Sequence, residues 1–149
     1  MTCQDIYNIA VNFRAAILQA KYDREFDVKD RMHRFPRGCC DDSCDIFAYY
    51  LATEYHFHTL QGKGTYYDDN PYNTTNHAWL ITDNKIIIDL TADQFPYFHM
   101  CDKGIYVGKE NSFYQNLERK QIYDNYDIVN ATRLWSDYQI IKDIIDSNL

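Results

Sequence analysis

The sequence predicts an α+β domain, and three observations lead there. Apolar residues recur at helical spacing near both termini and again after a cysteine cluster near residue 40. The middle of the chain runs instead in short strand-like stretches bounded by Gly, Asn, Asp and Pro. Helices therefore come first, then an antiparallel sheet, then a closing helix. The 149 residues suit one domain, 1–149, with a core of its own. No repeat, linker or low-complexity segment divides it.

Residues 2–21 read as the first helix. Ile6, Ile9, Phe13, Ile17 and Leu18 share one face, and Thr2 or Gln4-Asp5 supplies the start. Residues 22–33 are charged, with Val28 and Met32 as aliphatic anchors, and suit a short helix or loop. Pro36 and Gly38 punctuate the backbone before a second helix, from about Cys40 to Tyr55. Asp41, Asp42 and Ser43 favour its first turn, and Ile46, Phe47, Tyr50 and Leu51 form its apolar face.

Residues 56–60 alternate as a short strand that Gly62 and Gly64 break and residues 65–67 resume. Residues 68–76 are a loop rich in Asp, Asn and Pro. Residues 77–80 and 85–90 form a hairpin around Thr82-Asp83-Asn84. Residues 91–95 leave the sheet, and 105–108 form another strand. Residues 111–120 fit no one element, 121–129 alternate weakly, and 131–148 close the chain as a helix. Leu134, Tyr138, Ile141, Ile144 and Ile145 lie on its buried side.

The formal net charge is −7, with no basic run, so nucleic acid and anionic membranes are poor partners. A basic protein partner or substrate is compatible with that charge. Tyrosine is overused, at 14 residues, and suits both core packing and the lining of a groove. No run reaches transmembrane length, and no apolar leader follows Met1. Five cysteines, an odd number with three clustered, point to reduced thiols and a cytoplasmic setting.

Cys39 and Cys40 stand where a turn meets a helix. Unpaired N–H groups and the positive end of the helix dipole favour thiolate there, while Asp41 and Asp42 oppose it. His77 opens one hairpin strand and Asp89 ends the other. With Asn84 left-handed in a three-residue loop, Ile81 pairs with Lys85 and His77 falls opposite Asp89, their Cβ atoms roughly 5 Å apart. A two-residue loop would put the pair on opposite faces. The odd loop lets Asp89 fix the tautomer of His77, which is the nucleophile, base and orienter logic of covalent catalysis. Alternatively, Asp89 caps the turn at Thr91-Ala92-Asp93.

In Gly38-Cys39-Cys40 before a helix, then His77-Ala78-Trp79, then Ile88-Asp89-Leu90-Thr91-Ala92-Asp93-Gln94-Phe95, the chain resembles the papain-like cysteine hydrolases in the broad sense. That group includes NlpC-type peptidases, transglutaminase-like proteins and effector glutamine deamidases. The resemblance covers the middle third by motif and the whole chain by element order. It implies a papain-like fold, with Cys40 as nucleophile, His77 as base and Asp89 as orienter. It also implies a thioester intermediate formed on a peptide bond or on a glutamine side-chain amide of a peptide or protein, or acyl transfer where an amine replaces water. The glutamine that papain-type enzymes carry before the cysteine is missing; Gln94 is a later oxyanion candidate. Cys39 is the rival nucleophile, and Trp79 is either core or site rim.

Other readings compete. A non-catalytic protein on the same fold would bind a partner through an acidic, tyrosine-rich surface. Cys3, Cys44 and Cys101 read as packing residues. Zinc on Cys39, Cys40, Cys44 and His33 lacks paired C-x-x-C spacing, and His56 with His58 or His99 with Cys101 adds only short pairs. No metal or cofactor is predicted.

Overall fold

The structure, a computed structural model, describes residues 1–68, 73–98 and 102–149. Helix α1 spans Cys3–Tyr22 and starts in a capping box. Thr2 Oγ1 accepts from the Asp5 N–H at 3.1 Å, and the Asp5 carboxylate accepts from the Thr2 N–H at 2.9 Å. Ile6, Ala10, Phe13, Ile17 and Ala20 are buried along one side. The charged stretch after α1 forms a 3₁₀ turn at Arg31–Arg34. Met32 anchors it as expected, but Val28 is 78% exposed. Phe26, next to the loop and 4% exposed, takes its place because its ring has more apolar area to bury.

Helix α2 spans Cys40–Tyr55 and buries Ile46, Phe47, Tyr50 and Leu51. It ends with His56 in the left-handed region at φ 51°, while the Phe57 N–H reaches back to the Leu51 carbonyl at 3.1 Å. Residues 56–59 are thus a helix exit, and the strand expected there does not form.

Strand β1 (Leu60–Tyr67) runs straight through both glycines that were expected to interrupt it. They serve as space. A Cβ on Gly62 would stand 2.5 Å from Trp79 Nε1, and one on Gly64 would stand 2.9 Å from Leu117 Cβ. Strand β2 (Thr74–Ile81) pairs along all of β1, so it begins inside the expected loop; residues 69–72 lie outside the described residues.

Strand β3 (Ile86–Asp89) pairs Ile87 with Ile81 and Ile88 with Leu80. The register is two residues from the expected one. The left-handed residue is Lys85, at φ 65°, and not Asn84. Thr82 closes the turn twice, its N–H on the Ile86 carbonyl and its hydroxyl accepting from the Ile86 N–H. The loop stays odd, and a two-residue slip preserves the face. Asp89 therefore shares a face with His77 but sits diagonally from it.

Strand β4 (Tyr106–Lys109) adds to β3. A one-turn helix α3 (Ser112–Gln115) leads to strand β5 (Glu118–Asp124), which pairs with the far edge of β1. The antiparallel order is β4-β3-β2-β1-β5. Helix α4 (Thr132–Ser147) packs on α1 and buries Leu134, Tyr138, Ile141 and Ile144. The fold is α+β, with four α-helices and one five-stranded antiparallel sheet among the described residues.

Both faces of the sheet are covered at its centre, over β2 and β3, while β5 is exposed. Ala78, Leu80 and Ile88 join the core under α1, α2 and α4. Trp79 and Ile87 join an aromatic cluster with Phe95, Phe98, Phe113, Tyr114 and Leu117. That double cover explains why residues 77–80 are all buried, without the alternation of a half-exposed strand. Among the described residues no helix is long and apolar enough to cross a membrane.

Candidate active site

The two adjacent cysteines face different surroundings. Gly38, at φ 73°, turns the chain into α2. Cys39 occupies the N-cap with its thiol in the core, and no side chain caps the helix there. Burial pushes the Cys39 thiol up to about 12, with the nearby Asp42 and Cys40 adding to the effect. Burial likewise raises the Cys44 thiol. Cys40 is only half-buried and opens on a cavity of about 550 Å³.

The β2–β3 ladder is two pairs long, so beside Asn76 and His77 the sheet has no β3 partner. The N-terminus of α2 comes up against this open edge, where the Cys40 thiol donates to the Asn76 carbonyl at 3.9 Å. The expected opposition of Asp42 to a thiolate is answered by neighbouring cations. Its carboxylate accepts from Arg31 at 2.9 Å and from Arg133 at 3.0 and 3.3 Å.

His77 Nε2 lies 2.6 Å from Asp89 Oδ2, and both side chains are fully buried. Asp89 holds three groups. Besides the imidazole, it accepts from the Tyr114 hydroxyl at 2.7 Å and from the Thr91 N–H at 3.0 Å. Its two expected roles, orienting the histidine and capping the turn, coexist through separate oxygens. Arg14 fixes the segment just beyond. It is buried and donates to the Leu90 carbonyl, to the Gly104 carbonyl at 3.3 Å and to the Asp93 carboxylate at 2.8 Å.

The other imidazole nitrogen, Nδ1, is buried and has no hydrogen-bond partner among the described residues. Cys40 is near enough to act on the ring by charge and as a hydrogen-bonding neighbour, although its S–H rests on Asn76 in this conformation. Burial disfavours the imidazolium, but the charge and hydrogen bond of Asp89 outweigh it, with help from Cys40. The His77 pKa is raised from 6.5 to about 9. Phe95 packs against the ring with centroids 4.6 Å apart, which limits its rotation.

Cys40 and His77 line the same cavity, and Asp89 stands behind His77. Gln94 and Trp79 are not brought there. Gln94 sits in the 3₁₀ turn after β3, and Trp79 is 3% exposed in the aromatic cluster. Neither lines the cavity. Tyr114, Thr91 and Arg14 had no sequence signal that distinguished them. Tyr114 falls in a stretch without periodicity, Thr91 acts through its backbone, and Arg14 lies in the flank of an amphipathic helix.

Among the described residues no group of three or more His, Cys, Asp or Glu side chains is placed to hold a metal ion. His99 and Cys101 lie outside the described residues. The arrangement, a half-buried thiol at a helix start beside an imidazole held by a buried carboxylate, can in chemical terms move a proton from sulfur to nitrogen. No family model, no curated protein and no solved structure matches the chain.

Proposed function

We propose that the protein is a papain-like thiol hydrolase that cleaves an amide bond of a peptide or protein. The observation that supports this most is the buried His77. One of its nitrogens is fixed by Asp89, and the other is unpartnered beside the Cys40 thiol. A histidine that served packing alone would gain nothing from a free buried nitrogen next to a thiol.

Cys40 Sγ attacks the carbonyl carbon as its proton passes to His77 Nδ1. The tetrahedral oxyanion faces the uncapped first turn of α2, whose N–H groups include that of Cys40. The C–N bond then breaks, and His77 returns the proton to the leaving amine. The acyl group remains on sulfur as a thioester. Water, deprotonated by His77, attacks the thioester, releases the carboxylic acid and restores the thiol. Asp89 holds the ring and stabilises its cationic form throughout; Tyr114 and Thr91 hold Asp89. An amine in place of water would make the product an amide by the same steps.

The test is turnover of a library of peptidyl aminocoumarin amides, with acid-quenched samples read by mass spectrometry. Release of coumarin by the wild type, an acyl group found on Cys40, and loss of both in Cys40→Ala support the proposal. A protein inert to every amide, with Cys40 no more reactive than the exposed Cys3, sinks it in favour of a binding protein.

A further inference from the structure

The cleft that opens on Cys40 has the opposite charge from the rest of the molecule. Among the described residues three cations line it, Arg31, Lys63 and Arg119, against one carboxylate, Asp41. The chain as a whole carries −7. Arg31 is engaged with Asp42 at 2.9 Å and lies 4.0 Å from Asp41. Lys63 and Arg119 face no carboxylate at ion-pair distance among the described residues; Lys63 rests on the Tyr123 ring, 5.3 Å from its centroid.

The backbone makes an exception to place Arg119. The β1–β5 register pairs Lys63 with Gln121 and Thr65 with Glu118, so two residues of β5, Arg119 and Lys120, stand across from Gly64. At this bulge Arg119 adopts φ 55°, a left-handed conformation that an arginine rarely takes. On the other side of β1, Gly64 pairs with His77. His77, Gly64 and the bulge thus lie on one line across the sheet, two strand spacings or roughly 10 Å from end to end.

On the thiol hydrolase reading, which this inference deepens, we infer that the substrate carries a carboxylate side chain close to the attacked amide. Lys63 and Arg119 determine that preference by binding it, while the amide lies at Cys40. An aspartate or glutamate within one to three residues of the attacked bond spans the distance, given about 3.4 Å per extended residue plus the side chain. Against a chain of net charge −7, a cleft with an excess of cations attracts an acidic peptide locally.

Two tripeptide vinyl sulfone probes test this, identical except for Glu or Gln beside the electrophile. Site-resolved labelling of Cys40 is timed at low and high salt. The Glu probe is expected to label about tenfold faster at low ionic strength, with the advantage shrinking at high salt as screening sets in. In Lys63→Gln/Arg119→Gln the ratio of the two rates falls to about one, and in Arg119→Lys it stays well above one. Equal rates, a faster Gln probe, an advantage that survives the double substitution, or no labelling at all, each with rapid iodoacetamide alkylation of Cys40, overturn the acidic-substrate inference alone. Cys40 that iodoacetamide modifies no faster than Cys3 overturns the hydrolase reading together with it.

Discussion

Cys39 and Cys40 are neighbours in the chain with opposite surroundings, and their variants should separate cleanly. Cys39→Ala empties a small volume of core and is expected to cost about 1 kcal/mol while Cys40 stays reactive. Cys40→Ala should leave the melting temperature nearly unchanged and abolish acyl-enzyme formation. Thermal melts with intact-mass labelling check both, and a reversed pattern would make Cys39 the nucleophile. Asp89 gives a graded case. Asp89→Ala strands the His77 ring, the Tyr114 hydroxyl and the Thr91 N–H, so it is expected to lose about 2–5 kcal/mol as well as Cys40 reactivity. Asp89→Asn keeps one acceptor oxygen and should fall between. Normal Cys40 alkylation per folded molecule of Asp89→Ala would remove Asp89 from the site. Cys40, His77 and Asp89 were legible as candidates because Cys40 starts α2 and Asp89 ends β3, while His77, expected to open its strand, lies inside β2. Tyr114 was not, because a hydroxyl reaching a carboxylate from a distant one-turn helix leaves no local pattern.

Among the elements, the sequence was most informative where periodicity was long. α1, α2 and α4 fall within a residue or two of expectation, since an amphipathic stripe over several turns has one solution. β1 departs from expectation because glycine breaks a strand locally but is required when a large side chain crosses it. The indole of Trp79 occupies the space a Gly62 side chain would need. Gly62→Ala should therefore cost about 1–3 kcal/mol by overpacking, measured by denaturant unfolding, and a neutral result would mean the indole has room to move. The loop register differs from the local expectation for a related reason. Lys85 accepts the left-handed position because Thr82 bonds Ile86 twice, a tertiary closure that outweighs asparagine's local preference. Where α4 meets α2, Asp137 carries a buried carboxyl beside Asp30, and burial followed by the Asp30 interaction raises its pKa to about 8. A raised carboxyl favours the fold below its unfolded value of 3.8 and loses that contribution as pH rises through 8. Asp137→Asn, permanently neutral, should gain stability relative to wild type from pH 4 to pH 9. A constant difference across that range would show that Asp137 does not titrate there.

At the scale of the molecule, helices on one sheet face and an aromatic cluster on the other leave residues 77–80 of β2 buried from both sides. This is what withdraws His77 from water while its open edge admits Cys40. The cost and gain of that burial are linked to pH. His77 has an ordinary pKa of 6.5 and a folded value raised to about 9, so its contribution is complete below 6.5 and disappears as pH rises through 9. The stability difference between wild type and His77→Gln should shrink over that interval by on the order of 3 kcal/mol, read from denaturant unfolding at several pH values. Overall charge concealed the basic cleft, since a sum over the chain says nothing of where Lys63 and Arg119 converge. The most direct test of the account is the pH profile of site-resolved iodoacetamide alkylation at Cys40, in wild type and in His77→Gln, with Cys3 as the internal reference. Cys40 is expected to react about tenfold or more faster than Cys3 at pH 6 to 7 and to fall to the rate of Cys3 in His77→Gln. A Cys40 that tracks Cys3 at every pH, or whose rate is indifferent to the loss of His77, would contradict it.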